Sequence, residues 1–465
     1  MTSTVKTSTM KTEIVTTETG LTAALADFAA NLRFADLPAA VAHEAKRALI
    51  DHVGVAAAAA DHPSVDAMLR VSDRLAGAGS HTVIGRSQTA TMPYAALVNG
   101  FAAHLLDYDD TFNPGDTTVH GSAPVWPVVF ALAESAPIAG RDALAAFVAG
   151  FETECRLGRA AGDAHYEIGW HVTGTVGHVG AAAAGGRMLG LTPTVLNQAL
   201  GSAGTQAAGL KVVYGTDGKP LHAGKAAMDG LLSAVMAAEG ITSSVEIIEG
   251  ARGFLAVMSP DPAPGKLLDG LGDQWHLLAN GYKAYPSGSL THPAIDAVLA
   301  LRAEHGFGVA DVRRVRAGVN SKAATVTGKV DPRTGLDGKF SITHGIAVAL
   351  TSRPRLDHFT DAAAVDPEIA SARALIDVRS DDTVGKRAAV VTVELADGRS
   401  VTRHVEANLG TPDNPMSDDD LAAKFTDNAV PRFGADGAAR LLDACWTADT
   451  ADDFAELVRM TGVRS

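Results

Sequence analysis

Histidines, lysines and aspartates gather in a few short stretches of this sequence, each beside an apolar run. The first, HLLDYDDTFNPGDTTVHGS, spans His104 to Ser122 and carries Asp107, Asp109, Asp110, Asp116, Thr111 and His120. Carboxylates and imidazoles at this density are the groups that move protons near neutral pH. The second, GWHVTGTVGHVGAAAAGG, places His171 just before a Gly/Ala-rich helical pattern and His178 within it. A helix start presents free N–H groups, so His171 is suited to lie beside an anion. His178, alone on an apolar face, reads as a hydrogen-bonded core histidine. The third, TDGKPLHAGKAAMDG, flanks Pro220 with Lys219 and His222 and then carries Lys225. The fourth, YKAYPSGSLTHPAID, holds Lys283, Tyr285, Ser287, Ser289 and His292 ahead of a helix starting near Pro293. A fifth, VDPRTGLDGKFSITHG, offers Arg333 and Lys339, which read as exposed loop charges.

The rest of the composition narrows the chemistry. A formal net charge of -14 argues against nucleic acid or an anionic membrane as partner. It leaves room for an anionic substrate, because lysines and histidines in a cleft reverse the local potential. The glycine runs do not follow strands, so a dinucleotide site fails its context test, and no HExxH or GxSxG motif occurs. At Gly224-Lys225 a P-loop is excluded, since Ala226 stands where the metal-binding hydroxyl belongs. Cys155 and Cys445 form no CxxC framework, so no structural zinc and a reducing, cytoplasmic setting are expected. We therefore expect neither metal nor cofactor. An aspartate-rich turn also marks magnesium-dependent terpene synthases, but 5% aromatic residues are few to line a carbocation cavity.

These groups need elements to hold them. From Leu21 to Gly270 the apolar spacing is helical, with runs at Ala40–Ala60, Pro93–Leu106, Pro124–Ala136, Ala143–Ala160, Val172–Leu189 and Ala223–Ala238. Near Trp275 the character changes. Val312–Val319 and Ala388–Leu395 alternate like strands, and the turn Asp397-Gly398 leads to another strand at Ser400–Val405. Helical patterns recur at Pro293–Glu304 and Ile342–Thr351, and again at Ser417–Thr426, Gly434–Ala444 and Asp452–Thr461. The predicted fold is mainly α: a large all-helical domain (residues 21–274 and 409–465) built from both chain ends, with an inserted smaller α+β lid (residues 275–408). Residues 1–20 read as a flexible tail. The cleft between the domains is the natural ligand site.

In this order, LLDYDDTF, HGSAPVWPVVFALAE, GWHVTGTVG, KPLHAGKAA and KAYPSGSLTHPAIDA resemble the MmgE/PrpD family. That family includes 2-methylcitrate dehydratases, cis-aconitate decarboxylases and iminodisuccinate epimerases. The resemblance implies a site made from Asp107, Thr111, His120, His171, Lys219 and Lys283, and a homodimer. In the decarboxylase branch a histidine lies five residues after the fourth-block lysine; here that position is Gly288. The overall run looks most like the epimerase branch. The expected activity is therefore cofactor-independent epimerisation at a carbon next to a carboxylate of a small polycarboxylate, iminodisuccinate above all. Dehydration or decarboxylation of a tricarboxylic acid is the alternative. Epimerisation needs a proton removed from one face and returned to the other, with His120 or His171 on one side and Lys283 or Tyr285 on the other. Asp107, Thr111, Lys219, His222, Ser289 and His292 are expected to bind substrate.

Overall fold

The structure, a computed structural model, describes residues 20–463. All but Gly20 of the tail expected over residues 1–20 lies outside the described residues.

Small residues set the helical body. Helix Val172–Met188 is buried at every position from Val172 to Gly186, so it has no solvent face and runs through the centre of the bundle. Helices Gly140–Glu167 and Gly218–Ala238 pack along it. Glycine is required where helix Met92–Leu105 crosses Gly218–Ala238. A Cβ at Gly100 would stand 2.9 Å from the Gly224 Cα, and one at Gly224 would collide with the Leu97 carbonyl oxygen. The two backbones touch, and this contact brings the end of the first helix to the start of the second.

Helix Asp418–Trp446 lies along Ala39–Ala59, so the C-terminal stretch completes the bundle begun near the N-terminus. The sequence pattern predicts two helices here, and the run is indeed two helices that meet at a kink at Gly434, which adopts φ 69° and ψ 168°. The sheet has four strands in the order Ile376–Ser380, Val312–Val319, Ala389–Leu395, Ser400–Val405. Ala389–Leu395 alternates buried and half-buried residues, as its sequence pattern predicts. Ile376–Ser380 pairs parallel to Val312–Val319 and carries no such pattern, because it is a half-exposed edge strand. Helix Pro63–Ala76 likewise escapes prediction, since only Val65 and Ser72 are buried in it. Among the described residues no helix is long and apolar enough to cross a membrane.

A two-stranded pair of Thr111–Phe112 with Asn280–Gly281 ties the loop after helix Met92–Leu105 to the segment that leads into Lys283. The chemistry collects around this junction.

Candidate active site

The acidic loop is not one solvated patch, because each of its aspartates has a different partner. Helix Met92–Leu105 ends at Leu106, and Asp107 follows at φ 54°, the one positive-φ residue other than glycine among the described residues. The left-handed turn is a common way to end a helix, and Asp tolerates it better than most side chains. It directs the carboxylate to Lys219 at 2.6 Å and Lys283 at 3.0 Å. Lys283 also donates to the Asp107 carbonyl at 2.7 Å. Burial alone would raise the Asp107 carboxyl, but Lys219 and Lys283 hold it well below the usual range.

Asp109 serves two histidines. Its Oδ2 lies 2.8 Å from His104 Nδ1 and 3.2 Å from His120 Nδ1. His120 Nδ1 is also 2.9 Å from the Asp110 carbonyl oxygen, which can only accept. The proton of neutral His120 therefore sits on Nδ1, and Nε2 keeps its lone pair. That is the state of a general base oriented by a carboxylate. Burial pushes His104 down to about 4, so it is neutral at pH 7. His104, Asp109 and His120 also have ligating atoms within 4.8 Å of one another, the group among the described residues that could share a cation. Their separations are those of hydrogen bonds.

Asp110 is structural. It accepts from Ser122 Oγ at 2.6 Å and Asn280 Nδ2 at 2.7 Å, pinning the start of helix Ser122–Ala133 to the two-stranded pair. Burial and nearby Asp51 raise its carboxyl to about 7 despite the hydrogen bond from Ser122. Asp116 pairs outside with Lys266 at 2.9 Å and Arg159 at 3.2 Å.

His171 caps helix Val172–Met188, with its backbone N–H on the Gly209 carbonyl at 2.9 Å. Its ring stacks on His104 at 5.6 Å and meets Tyr214 edge-on at 5.3 Å. Burial first, with the Lys219 ammonium adding to it, holds His171 well below its usual range, so it is neutral. A cavity of about 160 Å³ is lined by Asp107, Thr111, His120, His171, Lys219 and Lys283, together with Gly288, Ser289, Thr327 and Phe340. Its lysines lie within a chain of net charge -14.

A family model for the MmgE/PrpD N-terminal domain matches residues 23–266, and one for the C-terminal domain matches residues 285–448. The chain belongs to the MmgE/PrpD family. Among its relatives is a cis-aconitate decarboxylase of Aspergillus terreus, 28% identical over 438 residues that cover 88% of this chain and 89% of that protein. The cis-aconitate decarboxylases of Mus musculus and Homo sapiens are 33% and 35% identical, over 56% and 48% of this chain and 54% and 47% of their own lengths.

In this MmgE/PrpD protein, Asp107, Thr111, His120, His171, Lys219, Lys283 and Ser289 meet at one cavity. The other residues expected in the site lie elsewhere. Tyr285 is 2% exposed, and its hydroxyl donates to Asp296 at 2.5 Å. Burial and the Asp296 charge raise the phenol, and Tyr285 does not line this cavity. His222 stands behind His171, the two Nδ1 atoms 3.0 Å apart, and faces a different cavity. His292 is 1% exposed, its Nε2 3.2 Å from the Ser287 carbonyl oxygen, and it borders an adjoining pocket. His178 is buried beside Asp229 at 3.1 Å, as a core histidine.

Sequence reasoning missed two residues. Asp109, expected only as one of several acidic residues in its loop, pairs with both His104 and His120. Lys339 is not an exposed loop charge: it is 9% exposed and donates to the Leu106 carbonyl, at the end of the helix that delivers Asp107. Burial lowers its ammonium to about 8, although Asp107 opposes the shift. Lys339 is thus charged below about pH 8 and neutral above, so the cation density beside the cavity falls as pH rises. We expect KM for a polycarboxylate to rise by about tenfold through this range, the worth of one charge-assisted hydrogen bond. In Lys339→Met, KM measured from pH 6 to 10 should lack that inflection; an unchanged inflection would assign it to another group.

Proposed function

We propose that the chain is a cofactor-independent acid–base enzyme acting on a proton next to a carboxylate of a small polycarboxylate. The observation that carries this reading is that Lys219 and Lys283, both paired with Asp107, line the same cavity as His120, whose Nδ1 is held by Asp109 and the Asp110 carbonyl. Removing a proton next to a carboxylate builds a second negative charge on it, and preorganised ammonium groups stabilise that charge most where water is scarce. His120, oriented by Asp109, is the base in this scheme. Lys283, which lines the same cavity, is the group that returns the proton in this scheme, and Lys219 binds the carboxylate. His171 is neutral and lends a hydrogen bond without adding charge.

Epimerisation, with iminodisuccinate as substrate, is the reading in which His120 removes the proton and Lys283, at the same cavity, returns one. Gly288 also supports it. A Cβ there would lie 3.3 Å from the Phe340 ring, so that wall is filled by an aromatic edge instead of an acid. Lyase chemistry on a tricarboxylic acid is the second reading, favoured by the names of the relatives that align along most of the chain.

Proton NMR in D₂O, with iminodisuccinate, 2-methylcitrate, citrate and cis-aconitate in separate tubes, separates the two. Deuterium at a carbon next to a carboxylate, with a new diastereomer and no vinyl change, is the expected result. Vinyl changes or released carbon dioxide move the assignment to the lyases. Absence of exchange with all of these substrates counts against the proposed chemistry.

A further inference from the structure

The left-handed turn at Asp107 has a second effect. It sends consecutive side chains to opposite sides of the loop: Asp107 lines the catalytic cavity, and Tyr108 lines another cavity of about 410 Å³ behind it. The backbone between them is held from both sides. Lys283 donates to the Asp107 carbonyl at 2.7 Å, and Lys424 donates to the Tyr108 carbonyl at 2.8 Å. The Tyr108 hydroxyl reaches the Ala284 carbonyl at 3.3 Å, so the same residue also braces the segment that carries Lys283.

The rear cavity has the groups of an oxyanion site. Arg353 and Arg355 enter from the segment after helix Ile342–Ala349, and Lys424, Asn428 and Arg432 from helix Asp418–Trp446. Most of the charges are matched. Arg355 pairs with Asp427 at 3.3 Å, Arg432 with Asp61 at 2.9 Å and Lys424 with buried Asp51 at 2.6 Å. Asp357 is 78% exposed and lies 3.2 Å from His358. Arg353 makes no ion pair among the described residues and is exposed at the cavity mouth. Inside, Asn428 is 5% exposed, and its Nδ2 donor has no hydrogen-bond partner. A buried amide donor without a partner is destabilising, and a ligand acceptor that reached it would offset that cost.

We propose that this rear cavity is a second binding site, for a small carboxylate or phosphate held by the Arg353 guanidinium and the Asn428 amide. The planar guanidinium suits either oxyanion, and a neutral amide donor adds a hydrogen bond without requiring a counter-charge. The site is separate from the catalytic cavity, with the Asp107–Tyr108 backbone as the wall between them.

Calorimetric titration of the full chain with inorganic phosphate, and separately with succinate, tests this. Whichever anion binds more tightly names the source class. Binding with Kd on the order of 1 mM or tighter is expected for one of them. It should persist in Lys219→Ala, which disables only the catalytic cavity, and weaken at least about tenfold in Arg353→Gln and in Asn428→Asp. Arg353 is exposed, so its replacement leaves the core intact, and Asn428→Asp keeps the side-chain shape while replacing the donor with a repelling charge. Absence of binding by both anions overturns the proposal. So does binding abolished by Lys219→Ala, or affinity unchanged within about twofold in both rear-cavity variants.

Discussion

His120→Ala lowers kcat by roughly 10²–10⁴-fold, the contribution of a positioned general base. The reasoning is geometric. His120 Nδ1 is bound by Asp109 and by the Asp110 carbonyl, so its free nitrogen belongs to the cavity that it lines. Asp109→Asn is expected to cost less, roughly 10–10²-fold, as replacing a group that orients another generally does. The Asp110 carbonyl still favours the working tautomer in that variant. His178→Ala is the control. That histidine is buried against Asp229, away from the catalytic cavity, so its loss changes stability more than kcat. Steady-state kinetics on the three variants decide the matter. Similar small losses at His120 and His178 would remove His120 from the proton-transfer role.

Lys219→Ala gives the second large effect, a fall in kcat/KM of roughly 10²–10³-fold, the cost of removing one partner from a desolvated charge pair. Two losses combine. The substrate loses a cation, and Asp107 loses one of the two ammoniums that keep it ionised against burial. The Asp107 carboxyl then moves upward, so activity in Lys219→Ala should fall off on the acid side at a higher pH than in the native chain. A double-mutant cycle isolates the coupling: Asp107→Ala in the Lys219→Ala background should cost much less than in the native chain. Strictly additive effects would show that the two residues act separately and would undo the paired-charge account.

Much of this was legible in the sequence, for identifiable reasons. The catalytic stretches precede or follow helices whose apolar spacing is unmistakable, so His120, His171, Lys219 and Lys283 could be placed at element ends. Strands Val312–Val319 and Ala389–Leu395 announce themselves by alternation. What escaped depends on contacts between residues far apart in the chain. Lys339 looks like loop charge until the chain places its ammonium on the carbonyl of Leu106. Tyr285 and His292 sit within a chemically rich block, yet Asp296 and the Ser287 carbonyl hold them in the packing. Nor does spacing reveal which aspartate serves the histidines, since Asp107 and Asp109 differ only in the turn between them. The only local clue to that turn is the end of the helix.

The contact of Gly100 with Gly224 bears on how this scaffold can change its substrate. Two backbones already at van der Waals separation cannot move closer, and any larger side chain at either glycine would drive both helices apart. The span from Asp107 to Lys219 is therefore a fixed gauge, set by main chain and insensitive to nearby side-chain drift. Variation in the shape of the cavity is left to the rest of its lining, where Ser289, Thr327 and Phe340 lie on short connections. The scaffold thus separates an Asp107–Lys219 spacing fixed by main chain from a lining that side-chain exchange can reshape.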